Sequence, residues 1–132
     1  MNKKDIKYFE VAKSLSLLSS FHREHIGAII VLKNEIIAVG QNMQKSHPIQ
    51  AYWAGRANNP NAIYIHAEIS CLTKLNTDID LSAAKFYIFR QNRQNEVALA
   101  KPCNSCRLAI VSHGIKEINY TTNDGYIKEI IN

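Results

Sequence analysis

Two fragments far apart in this 132-residue chain constrain it more than anything else: His66-Ala67-Glu68, and Pro102-Cys103-Asn104-Ser105-Cys106. Together they offer one imidazole, two thiols and a carboxyl group. Zinc is held by Cys sulfur and His nitrogen, and a catalytic zinc takes three protein ligands and leaves its fourth position to water. His66, Cys103 and Cys106 are the candidate ligands. Cys103 and Cys106 are i and i+3, so a helix opening after Pro102 sets both sulfurs on one face of its first turn. The positive end of that helix favours thiolates there. A helix running from His66 to about Asn76 sets Glu68 beside the metal without ligating it, free to move protons. Zinc brings the pKa of bound water from 15.7 toward about 7. A hydroxide so formed is a nucleophile, and Glu68 is placed to relay its protons. Any fold of this chain has to bring the two fragments together.

Blander readings of each fragment exist. A lone Cys-x-x-Cys serves as a structural zinc half-site or a redox pair. A structural site needs a fourth thiol or imidazole near His66, and Cys71 is the one cysteine left. Five residues on, it falls nearly half a turn round the helix from His66, which directs it to the core. A redox pair has no use for the His-x-Glu fragment.

The chain carries enough residues for one domain with a substantial core and too few for two. No apolar run approaches the roughly 20 residues of a membrane span. The N-terminus shows neither an uninterrupted apolar stretch nor a small-residue cleavage site, so the expected location is the cytoplasm. Three cysteines, two of them assigned to metal, argue against a disulfide framework. The net charge of +5 is compatible with a phosphorylated or polyanionic partner.

Along the chain, Tyr8, Val11, Ala12, Leu15 and Leu18 recur at helical spacing within 2–19. Residues 26–32 and 35–39 read as a β-hairpin turning at Lys33-Asn34. From 43 to 64 the pattern is lost in a long loop containing His47-Pro48, Tyr52-Trp53, Arg56 and Asn58-Asn59-Pro60, suited to lining a pocket and able to hide short helical pieces. Residues 85–90 read as a strand, 91–96 as a polar insert, 103–113 as a helix closed by Gly114, and 115–121 as a strand. Only Thr122-Asn123-Asp124-Gly125 separates that strand from 126–131. A parallel pairing needs a crossover of about a dozen residues, so a final strand has to be antiparallel, the alternative being a terminal helical turn. The order αββ, αβ, αβ, β implies an α/β fold: a three-layer α/β/α sandwich with a mixed five-stranded sheet, ending in an antiparallel hairpin and filling residues 1–132 as one domain.

The pattern H-x-E with P-C-x-x-C, carried by His66, Glu68, Pro102, Cys103 and Cys106, resembles the signature of the zinc nucleobase deaminases. The resemblance runs from about Ile26 to Tyr120, because the order of elements agrees too. It implies the cytidine deaminase-like fold, Zn2+ on His66, Cys103 and Cys106, and Glu68 as the catalytic proton carrier. Asn42, in Gly40-Gln41-Asn42, is similar to the Gly-x-Asn that holds the sugar, against the plain alternative of an asparagine at a turn. Ala67 contributes by resemblance a backbone N–H to the pyrimidine carbonyl. His22, Arg23 and His25 precede the first strand, where related enzymes place a substrate loop. Arg23 is the weakest candidate, a phosphate contact or a solvated turn. Tyr52 and Trp53 either stack on a base or pack, and His47 and His113 read as structural.

The implied activity is hydrolytic conversion of cytosine to uracil, with release of ammonia, in a free cytidine or deoxycytidine nucleoside or monophosphate. Histidine as first ligand draws the chain toward the deoxycytidylate group, while the short C-terminal hairpin departs from that group's helix-linked parallel strand. Cytosine in single-stranded DNA or RNA is the alternative substrate, and adenosine in tRNA a third. A zinc-stabilised binding module is the non-enzymatic reading, and the presence of Glu68 argues against it. The resemblance also implies a homo-oligomer that completes its pocket across subunits.

Overall fold

Lys33 and Asn34 take left-handed φ values of +52° and +64°, the geometry of a two-residue hairpin turn whose twist matches its strands. In the computed structural model, which describes residues 2–21, 23–59, 64–76 and 78–131, this turn joins β1 (His25–Leu32) to β2 (Glu35–Gln41). Before the hairpin runs α1 (Lys3–Ser16), capped by the Asn2 side chain on the Asp5 N–H at 2.8 Å. After it come α2 (Pro48–Arg56), α3 (Ala67–Leu72), β3 (Lys85–Gln91), β4 (Val97–Ala98), α4 (Asn104–Ser112), β5 (Glu117–Thr121) and β6 (Tyr126–Ile130).

The sheet order is β2-β1-β3-β5-β6, with β4 pairing β3. Among the described residues its one parallel pair is β3 with β5, joined through α4; β1–β2, β1–β3 and β5–β6 are antiparallel. The five expected strands are thus present in a mixed sheet, and β4 adds a short sixth where the polar insert at 91–96 turns back on β3. The last segment is a strand, not a helical turn, and pairs antiparallel with β5 from Glu117↔Ile130 to Thr121↔Tyr126.

Two glycines let helices sit directly on opposite faces of the sheet. A Cβ on Gly27 would lie 2.0 Å from the Ala12 carbonyl oxygen, so α1 rests on β1 there. A Cβ on Gly40 would lie 2.7 Å from the Ala67 carbonyl oxygen and 2.9 Å from the Cys71 nitrogen, so α3 rests on β2. On the α1 face, Tyr8, Phe9, Ile29, Val31 and Tyr87 form one apolar cluster. On the other, Ala28, Ile30, Phe86, Ile88 and Ile118 pack with residues of α3 and α4. The result is three layers, α/β/α.

Several boundaries differ from the sequence reading. α1 stops at Ser16, which leaves Leu18, expected on the apolar face, 66% exposed. The long loop holds a full helix, α2, begun by Pro48 at its first turn and capped by the His47 Nδ1 on the Ile49 N–H. α3 ends at Leu72 rather than Asn76. Gly114, at φ +84°, closes α4 as expected. His22 and Pro60 lie outside the described residues. Among those described, no helix is long and apolar enough to cross a membrane.

Candidate metal centre

His66 and Cys103 are the N-cap residues of α3 and α4, and neither spends its side chain on capping its own helix. Both side chains turn toward each other instead. The His66 Nδ1 lies 3.2 Å from the Cys106 Sγ and 3.5 Å from the Cys103 Sγ. The three ligand atoms all lie within 4.8 Å of one another, and this is the one such cluster of His, Cys and carboxylate groups among the described residues. A tetrahedral zinc with its usual bond lengths requires N···S separations of about 3.6 Å. The donors therefore fit Zn2+ in identity, number and spacing. Cys106 is buried while His66 and Cys103 keep partial exposure, as a centre with an open coordination position requires. Cys71 is fully buried, and its thiol donates to the Ala28 carbonyl at 3.2 Å. It supplies no fourth ligand.

The electrostatics show what the cluster does before a cation arrives. The Cys103 thiol is pulled down to about 3, chiefly by the Cys106 S–H that donates to it and further by His66 and Ser105, against the opposing effect of burial. Cys106 is pushed well up by donating to Cys103, by burial and by Glu68. Burial alone would lower the His66 imidazole, but Cys103, Glu68 and Glu24 together hold it above its ordinary value. Glu68 is 5% exposed; burial raises its carboxyl, and His66 opposes the rise. One thiolate, one retained thiol proton and a buried carboxyl group thus share a small volume. A divalent cation bound by these atoms would displace the proton that Cys106 holds, because thiols ligate as thiolates.

The other candidate residues differ in exposure, from buried Asn42 and Ala67 to exposed Arg23 and Tyr52. Asn42 is buried. Its Oδ1 accepts from the Ile26 N–H at 2.9 Å and from the Ser19 hydroxyl, and its Nδ2 donates to the Glu24 carbonyl at 3.2 Å. It ties the α1–β1 connection to the start of β1, and its own main-chain N–H donates to the Ile26 carbonyl at 3.1 Å. The next residue, Met43, donates its N–H to the Ile65 carbonyl at 3.1 Å, one residue before His66 in sequence. Ala67 is buried at the first position of α3. Arg23 is exposed. Tyr52 is 53% exposed with the Arg56 guanidinium 5.6 Å over its ring. Trp53 packs against the core and lies 6.2 Å from the His113 ring, whose Nδ1 is 2.7 Å from the Ala109 carbonyl.

Three contributors escaped the sequence reading. Ser105 is fully buried with its hydroxyl 3.1 Å from the Cys103 Sγ, a contact inside the Cys-x-x-Cys fragment itself. Glu24 sits near enough to influence His66 and pairs with Arg90. Gln50 of α2 accepts from the His66 N–H at 3.1 Å.

The comparisons with known proteins agree with this centre. In solved structures the chain resembles the dCMP deaminase of cyanophage S-TIM5 at 24% identity and a TM-score of 0.63, covering 91% of this chain and 84% of that one. A second structure of that phage enzyme, at 21% identity and TM-score 0.63, is a complex with dCMP and dUMP and covers 91% and 82%. Cytidine deaminase from Burkholderia pseudomallei matches at 13% identity and TM-score 0.66 over 98% and 93%. No curated protein matches the chain. The family model of the cytidine and deoxycytidylate deaminase zinc-binding region matches residues 2–122. With that match spanning nearly the whole chain, and with its donors spaced for zinc, the protein belongs to the cytidine and deoxycytidylate deaminase family.

Proposed function

We propose that residues 1–132 form one deaminase domain that converts the cytosine of a free nucleotide, deoxycytidylate first, to uracil with release of ammonia. The observation that carries the reading is the meeting of His66, Cys103 and Cys106 with a buried carboxyl group, Glu68, against the Cys106 sulfur. The complex of the cyanophage enzyme with dCMP and dUMP supports a nucleotide as substrate.

His66 Nδ1 and the two sulfurs would hold Zn2+. Bound there, the metal would supply Lewis-acid chemistry that lowers the pKa of water toward about 7. Glu68 accepts one proton of the attacking water and passes it to a ring nitrogen, then takes the second proton from the hydroxyl now bonded to the ring carbon and delivers it to the amine, so that the carbonyl forms as the C–N bond breaks and ammonia leaves. Its burial keeps bulk water from exchanging that proton. Asn42 offers its remaining Nδ2 proton to the sugar, Ala67 its main-chain N–H to the pyrimidine carbonyl, and Arg23 its guanidinium to the phosphate. Three free thiols support a reducing, cytoplasmic location. The family likeness supports a homo-oligomer, which sedimentation would check.

A second substrate class, single-stranded DNA or RNA, is favoured by one observation: the exposed Tyr52 ring with Arg56 above it makes a surface on which a base can stack. The experiment that separates the two is an assay of zinc-loaded protein against deoxycytidine, its monophosphate and a single-stranded oligonucleotide. Turnover of the monophosphate is expected. Activity confined to the oligonucleotide would overturn the leading reading.

A further inference from the structure

Gln50 is fully buried, which is uncommon for glutamine, and burying a primary amide is costly unless it is bonded. Gln50 and Ala54 are the buried residues of α2, and Trp53 packs partly against the core beside them. A helix that turns a polar side chain inward at that cost is held there by what the side chain reaches. Gln50 reaches the main-chain N–H of His66, sixteen residues away, at 3.1 Å.

His66 needs that partner. At an ordinary helix start, a Glu or Gln at the third helical position reaches back to the N–H of the capping residue. In α3 the third position is Ile69, which is apolar, and the His66 imidazole is turned to the sulfurs and caps nothing. Gln50 supplies from a different helix the bond that α3 cannot make for itself. α2 also packs on α4, the helix that carries Cys106, and its Trp53 ring meets His113 at the end of α4. One helix therefore touches both halves of the ligand set.

We propose that Gln50 is the positioning residue of the metal centre: its amide oxygen fixes the His66 main chain on α2 and so aims the imidazole at Cys103 and Cys106. This rests on the zinc reading of that cluster but not on the identity of the substrate. Partners behind a metal ligand change affinity or activity by roughly 10- to 100-fold.

The test uses the zinc-loaded full chain and needs no substrate, so a failure of the deaminase reading leaves its outcome intact. Zinc transfer to a coloured chelator is timed for the wild type, Gln50→Met, which keeps the length and loses the acceptor, Gln50→Glu, which keeps an acceptor, and Ala54→Gly, which loosens α2 without touching His66. The absorption spectrum of each Co2+-substituted protein reports the ligand geometry. Gln50→Met should release zinc at least about 10-fold faster and shift the Co2+ bands, with Gln50→Glu restoring both. Ala54→Gly, at a comparable loss of Tm, should release zinc at the wild-type rate. The proposal is overturned if folded Gln50→Met matches the wild type in rate and spectrum, or if Ala54→Gly releases zinc as fast as Gln50→Met. Should Gln50→Met fail to fold, Gln50→Glu decides: wild-type release supports the assignment and rapid release overturns it.

Discussion

The two faces of the sheet use polar side chains in opposite ways. On the α1 face they finish the packing. The Tyr87 hydroxyl donates to Asp5 Oδ1 at 2.6 Å, Tyr8 donates to the Asn34 carbonyl, and the rings of Tyr8, Phe9, Tyr87 and Tyr126 meet at 5.1 to 5.4 Å. Each buried polar group there closes a gap between α1 and the strands. On the face of α3 and α4, an imidazole, two thiols and a carboxyl group are turned toward one another, and their proton affinities are displaced in both directions. Mutual burial of such groups stabilises nothing by itself, because each pays desolvation for a partner that is also desolvated. The difference separates a face built to be stable from one built to receive a cation.

The largest effect belongs to the metal. Cys103→Ala should abolish zinc binding, turnover and much of the thermal stability together, because a metal bound only by the folded state contributes its binding energy to folding. Zinc analysis and melting curves with and without chelator check this. A variant that kept its zinc would show that the cluster is not the binding site. Glu68→Gln comes next: zinc content and Tm should hold, and turnover should fall by roughly 10²- to 10⁴-fold, the usual worth of a proton carrier. An active Glu68→Gln would remove the carboxyl group from the chemistry.

How much of this contrast could be read from the sequence depends on how local its causes are. The hairpin at Lys33-Asn34, the helix stop at Gly114 and the thiol pair of Cys103 and Cys106 each follow from a few neighbouring residues, and the structure has them where the sequence puts them. The meeting of the two ligand fragments was legible only because their chemistry makes sense together. α2 was not legible as a helix: its inward residues, Gln50 and Ala54, leave no apolar stripe, and His47-Pro48 was its one start signal. β4 is two residues long, too short to show alternation. Asn42 could be singled out, but its three bonds, to Ser19, Ile26 and Glu24, depend on tertiary placement that no spacing encodes.

The α1 face should answer the same kind of question with a smaller number. Tyr87→Phe leaves Asp5 Oδ1 buried without its donor, a loss of about 1–3 kcal/mol. Zinc content and turnover should match the wild type. pH adds a sign. Burial, and then the bond to Asp5, push the Tyr87 phenol far above its ordinary value of 10.0, so the folded state keeps the proton where the unfolded chain loses it. The stability this represents is therefore complete below about pH 10 and declines as pH rises above it. Melting curves from about pH 8 to 11 should fall more steeply for the wild type than for Tyr87→Phe. Equal slopes would mean that another group governs the alkaline limb.

The smallest effect tests whether α4 can be loosened without disturbing its sulfurs. Arg107 of α4 pairs with Glu129 of β6, and the Tyr120 hydroxyl reaches the same carboxylate at 3.4 Å. The pair ties the terminal hairpin to the helix that carries Cys106, but it stands partly in solvent, with 37% and 24% of its side-chain surfaces exposed. Exposed pairs contribute roughly 0.2–1 kcal/mol, so Arg107→Ala should lower Tm by less than about 5 °C. Arg107 holds the Glu129 carboxyl below its ordinary 4.5. Its contribution is present above that value and is lost as pH falls through and below it, so the gap between wild type and Arg107→Ala should close in acid and also in about 1 M salt. Zinc release should be unchanged at neutral pH. If Arg107→Ala released zinc faster, the β6 hairpin would be part of what holds the thiolates, and the functional face would extend to the edge of the sheet.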